Sequence, residues 1–166
     1  MSKLDGNERW NSKMLLTEHQ EQYEHRKDRK RSGPPESEEL QMLRNFILLP
    51  HLVTLVERNR QEIEHSTMTL KKLYLASTQV LLDEIGRDLQ AVKRELSLRA
   101  IKVVGEEQTD MIHYYHYVCR GYEDRFGIVR EVMKAQLSIM LGQYVSQLLG
   151  LLKKTREPLG ATRSGG

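Results

Sequence analysis

The stretch Ile101-Lys-Val-Val-Gly-Glu-Glu-Gln-Thr-Asp-Met-Ile112-His-Tyr-Tyr-His-Tyr-Val-Cys119 decides how this chain of 166 residues is read. β-branched and aromatic residues are dense here and sparse in the long helical patterns on either side. Two such runs around the polar cluster Gly105–Asp110 predict a β-hairpin, with strands over about 100–105 and 111–119. Strand alternation places Ile112, Tyr114, His116 and Val118 on one face and His113, Tyr115, Tyr117 and Cys119 on the other. Both faces are semi-apolar, and a lone hairpin is marginal in water. One face is therefore expected to pack on helices and the other to meet a partner or a second copy. Tyr115, Tyr117 and His113 are the candidate protein-contact residues.

Upstream, Ser37 followed by Glu38 and Glu39 reads as a helix start, with a hydroxyl cap and carboxylates opposing the dipole. Leu40, Leu43, Phe46 and Ile47 recur at helical spacing, and Leu49, Val53, Val56 and Ile63 continue the stripe. Pro50 leaves two readings open: one kinked helix over about 38–64, or two helices divided near the proline. After a connection at 65–69, Leu70, Leu73, Leu81, Ile85, Leu89, Val92 and Leu96 mark a long amphipathic helix. Beyond the hairpin, Gly121 is read as releasing the chain into a last helix, with the stripe Tyr122, Phe126, Val129, Met133, Leu137, Met140, Tyr144, Leu148 and Leu151. The predicted fold is mainly α: an antiparallel bundle of three or four helices over 37–154 with one inserted β-hairpin. Residues 1–36 lack an apolar period and are expected to form a disordered charged extension. The tail 155–166, with Pro158 and three glycines, is expected to be disordered too.

An apolar share of 39% and a charged share of 30% suit long, solvated helices around a modest core. With 26 basic and 23 acidic residues, the net charge of +3 gives no overall field for nucleic acid or membrane. A single cysteine, Cys119, rules out a disulfide within the chain and fits a reducing compartment. No signal-peptide core is visible, and no apolar run approaches the ~20 residues of a membrane span. A soluble cytoplasmic protein that does not use a membrane is expected.

The candidate chemistry is thin. His113 and His116 are three apart, a helical ligand spacing, but on a strand they diverge to opposite faces. No CxxC or HExxH pattern accompanies them, so no metal or other cofactor is assigned. Cys119 has no base or cation placed by sequence to activate it and reads as an inert buried thiol. No catalytic residue is assigned. Arg26, Lys27, Arg29, Lys30 and Arg31 form a basic run that could neutralise phosphates. It carries the alternative reading, a DNA- or RNA-binding regulator. Tyrosines, methionines and small residues on long helices also suit an interface, and a homodimer is a second form of protein partner.

The segments Arg99-Ala-Ile-Lys-Val-Val104 and Tyr115-His-Tyr-Val-Cys-Arg-Gly-Tyr122, with the preceding Leu48-Leu-Pro-His-Leu52 and the helix around 88–98, resemble the YhjD-like family. These are small sporulation-associated proteins of endospore-forming Bacilli. The resemblance covers about 38–150, and the extension 1–36 departs from it. It implies a cytoplasmic protein made during sporulation and transfers no functional residues. The expected function is non-enzymatic, through protein–protein contacts.

Overall fold

Helix α1 (Ser37–Glu64) begins with a capping box built from glutamates. Glu36, not Ser37, is the N-cap, and its backbone N–H donates to Glu39 Oε2 at 2.9 Å. The helix then runs unbroken through Pro50. Proline cannot donate to the carbonyl four residues back, yet Ile47, Leu48, Leu49 and Leu52 around it are all buried. Packing on several sides at once holds the helix together where local hydrogen bonding is lost, which decides for one helix over two.

A computed structural model describes residues 33–155. After α1 come α2 (Lys71–Leu98), strands β1 (Ile101–Gln108), β2 (Ile112–Cys119) and β3 (Tyr122–Val129), and helix α3 (Arg130–Thr155). The strands form one antiparallel sheet in the order β1-β2-β3. Of the segments 1–36 and 155–166, expected to be disordered, residues 1–32 and 156–166 fall outside the described residues, while Glu36 caps α1 and Thr155 ends α3.

The bundle with an inserted hairpin is corrected by the third strand. Residues 122–129 are not the first turns of the last helix but β3, paired with β2 from Cys119↔Tyr122 to Ile112↔Val129. The reversal takes two residues, Arg120 (φ 49°) and Gly121 (φ 87°). Positive φ at both central positions is what a tight hairpin turn matched to strand twist requires, and glycine adopts it without a Cβ penalty. The spacing that suggested a helix was ambiguous. Tyr122 and Phe126 are four apart, which is one helical turn and also an even offset along a strand.

The sheet covers the helices with one face. Ile101, Tyr117 and Cys119 pack with Leu43 and Leu96, while Tyr115 and Ile128 pack with Ile47, Leu48 and Met133. A third cluster, Leu49, Leu52, Val56, Leu81 and Ile85, lies among the helices. Helix α1 is thus the central element, with apolar residues turned to the sheet, to α2 and to α3.

Candidate protein-contact site

The three residues singled out from sequence lie inside the molecule. Tyr115 and Tyr117 are each 5% exposed, and His113 is 9% exposed. They alternate with the half-buried Ile112, Tyr114, His116 and Val118, so the two-residue period was read correctly. What alternation could not say is which face meets the helices. It is the His113 face, and its availability to a partner is corrected accordingly.

Beneath that face is a small polar cluster. His51 Nε2 lies 3.1 Å from the Tyr115 hydroxyl, and the His51 and His113 rings meet edge-on at 6.5 Å between centroids. A β-bulge between Val103 and Gly105 brings in the fourth member. One extra residue flips the alternation, so Glu106 pairs with Tyr115 and turns to the inner face. Its Oε1 stands 3.8 Å from His113 Nδ1, an atom that makes no hydrogen bond among the described residues. Burial, then the Glu106 charge and hydrogen bond, push the Tyr115 phenol up to about 12. A phenol held neutral in this way is a hydrogen-bonding member of a core, and it is not poised to exchange protons near neutrality.

A second polar link closes the far end of the sheet. Arg120, carried on the β2–β3 turn, donates to both carboxylate oxygens of Glu39, at 2.8 and 3.0 Å. Arg99 stands 3.9 Å from the same carboxylate. The hydrogen bond from Arg120 holds the Glu39 carboxyl below its ordinary value. Cys119 is fully buried, and burial pushes its thiol up, which disfavours the thiolate that chemistry would need. A groove of about 520 Å³ between the helices is lined by apolar residues such as Leu48, Leu49 and Met140 together with amides such as Gln41, Asn45 and Gln143. At its side Tyr144 donates to Asp88. Among the described residues no group of three His, Cys, Asp or Glu side chains is arranged to hold a metal ion. His113 and His116 do lie on opposite faces, and the basic run 26–31 falls outside the described residues.

The outer face of the sheet is where the chain offers contact chemistry. None of Ile112, Tyr114, His116 or Val118 enters a core cluster. The Tyr114 ring lies across Gly127, where an added Cβ would come within 3.0 Å of Tyr114 Cε1. Arg125 stacks over the same ring at 4.6 Å. An aromatic ring seated on a glycine and capped by a guanidinium is ordered before any partner arrives, which lowers the entropy lost on binding. His116 sits beside it with Glu107 at 3.8 Å. The residues singled out from sequence and this outer set share strand β2 but lie on opposite faces of it. What distinguishes the outer face is Gly127, the small residue across from Tyr114, which is legible only once β3 is recognised.

Among the described residues, no helix is long and apolar enough to cross a membrane. No solved structure matches the chain. Over 104 residues the chain is 28% identical to "Uncharacterized protein YhjD" of Bacillus subtilis (strain 168), covering 63% of this chain and 87% of that protein. The sequence model of the YhjD protein family matches residues 34–149, which takes in all three strands and nearly all of the three helices. The chain belongs to the YhjD family.

Proposed function

We propose that this protein is a non-enzymatic, cytoplasmic binding protein that works by protein–protein contact, with the outer face of the sheet as its recognition surface. The observation that carries the reading is the Tyr114–Gly127–Arg125 arrangement, an aromatic and an arginine fixed in place on a face that no core cluster uses. Tyrosine and arginine are the residue types that most often concentrate binding energy in an interface. Ile112 and Val118 supply apolar surface beside them, and Lys102, Glu107 and Glu123 form a charged rim. A role in sporulation is supported by the family resemblance alone.

The test compares affinity capture by the wild-type protein and by Tyr114→Ser and Arg125→Ala variants in sporulating cells. A partner retained by the wild type and lost from both variants, at unchanged helix and sheet content, is the expected result. Equal capture by all three would overturn the surface assignment.

A further inference from the structure

Helix α3 leaves large apolar side chains exposed along a stretch that is almost free of charge. From Ala135 to Leu152 it carries no ionisable side chain apart from Tyr144, in a protein where 30% of residues are charged. Met133, Leu137, Met140 and Tyr144 turn inward to α1, α2 and the sheet. The opposite side is exposed, with Leu149 51% and Ile139 62% accessible. Large apolar side chains left exposed on a helix, with only small and uncharged polar residues between them, mark a surface suited to a further contact.

The exposed side has an internal order. At about 100° per residue, Glu131, Ala135, Ser138, Gly142, Ser146, Leu149 and Lys153 fall on one narrow stripe, and all seven are exposed. Their spacing reads the same in both directions from Gly142. Under a two-fold axis through Gly142, with two copies antiparallel, each position meets its counterpart from the other end. The small Ala135 then faces the large Leu149, and Ser138 faces Ser146. Glu131 and Lys153, each eleven residues from Gly142, come opposite one another twice. Self-pairing about a two-fold axis brings a patch against itself, so charges at its centre would repel and charges at its ends must be opposite in sign. This stripe meets both conditions. Gly142 at the crossing leaves room for the backbones to approach closely. The exposed Glu131–Lys134 pair, at 3.0 Å, is a weak competitor for the same carboxylate.

We propose that the outer face of α3 is a homodimer seam, in which two copies of this helix cross antiparallel at Gly142 with Glu131 of each copy paired to Lys153 of the other. The seam stands on a different element from the Tyr114 surface, and either can fail without the other.

The experiment is sedimentation equilibrium on the full chain, wild type and variants, with circular dichroism as the fold control. In the monomer nothing lies within 4 Å of a Cβ added at Gly142, so Gly142→Leu leaves the fold intact. The wild type is expected to dimerise reversibly, and Gly142→Leu to weaken the dimer at least ten-fold with an unchanged or raised melting temperature. Glu131→Lys and Lys153→Glu are each expected to weaken it, and the double variant to recover it. Separately prepared Ser138→Cys and Ser146→Cys proteins should cross-link to each other in preference to themselves, as the antiparallel register demands. A wild type that stays monomeric to about 1 mM overturns the proposal. So does a dimer indifferent to Gly142→Leu, or a charge-swapped double variant no better than the singles.

Discussion

Arg120 grips Glu39 through two hydrogen bonds that join the turn between β2 and β3 to the first turn of α1, 81 residues away. Glu39 is at once the capping partner of the Glu36 amide and the acceptor for Arg120, and it is only 4% exposed. One carboxylate therefore ties the start of the first helix to the sheet. Removing the arginine strands a buried charge, and hydrogen bonds to charged groups are worth about 1.5–3 kcal/mol. Arg120→Ala is expected to lower the unfolding free energy by about 1.5–3 kcal/mol, read as a shift in urea midpoint at constant slope.

The same contact sets a pH dependence. The hydrogen bond from Arg120 lowers the Glu39 carboxyl below its ordinary 4.5, so folding favours the ionised form. The stabilisation is complete above the unfolded value and is lost as pH falls through the lower, folded one. Urea midpoints should therefore drop as the solution is acidified below about pH 4.5. In Glu39→Gln that part of the drop should be missing, from a baseline already reduced at neutral pH.

How much of this was legible in the sequence follows from periodicity. Helix α2 was readable because Leu81, Ile85, Val92 and Leu96 repeat at helical spacing on one buried face, packed chiefly on α1. The first hairpin was readable from composition, although its first strand runs to Gln108, past the bulge at Val104 that no local pattern announces. Strand β3 was misread because Tyr122 and Phe126 satisfy both periods, and the deciding feature was the pair Arg120-Gly121, two residues between two β-rich runs. The choice of buried face was not legible at all. Both faces of β2 carry tyrosine and histidine, and only tertiary packing tells Tyr115 from Tyr114.

That difference gives a paired prediction. Tyr117 lies in a core cluster with Leu43, Leu96 and Cys119, whereas Tyr114 is half-exposed on the opposite face. Truncating a buried aromatic costs about 3–5 kcal/mol. Tyr117→Ser should be severely destabilised, with loss of near-UV signal and a large fall in melting temperature. Tyr114→Ser should stay within about 1 kcal/mol of the wild type, as surface substitutions do. Equal effects of the two substitutions would invert the face assignment.

The alkaline limb is set in part by Tyr115. Its phenol is raised from 10 to about 12 by burial first and by Glu106 second. Folding therefore favours the protonated phenol, and this contribution is whole below the unfolded value of 10 and lost as pH rises through about 12. Spectrophotometric titration of the folded protein should show Tyr115 ionising late and together with unfolding. In Tyr115→Phe the late step should shrink by one tyrosine, the Tyr117 and Tyr144 phenols, also raised, keeping the rest, while the neutral-pH stability falls because His51 loses its hydrogen-bond partner at 3.1 Å.

Ala100 is held at φ 54°, between the end of α2 and the start of β1. Its N–H donates to the Ser97 carbonyl at 3.1 Å and its carbonyl accepts from Arg120 N–H at 3.0 Å, so the hydrogen bonds on both sides fix the conformation. A left-handed backbone costs an L-residue with a Cβ about 1–2 kcal/mol, and glycine is the residue that relieves it at a helix C-terminus. The methyl group is solvent-exposed, so little packing is lost by removing it. Glycine's greater freedom in the unfolded chain offsets part of the gain. Ala100→Gly should therefore raise the unfolding free energy, by up to about 1 kcal/mol once that offset is included. The increase should be read from the urea midpoint with the α2–β1 junction otherwise unchanged. A decrease would mean that the left-handed turn is not what holds β1 against the end of α2.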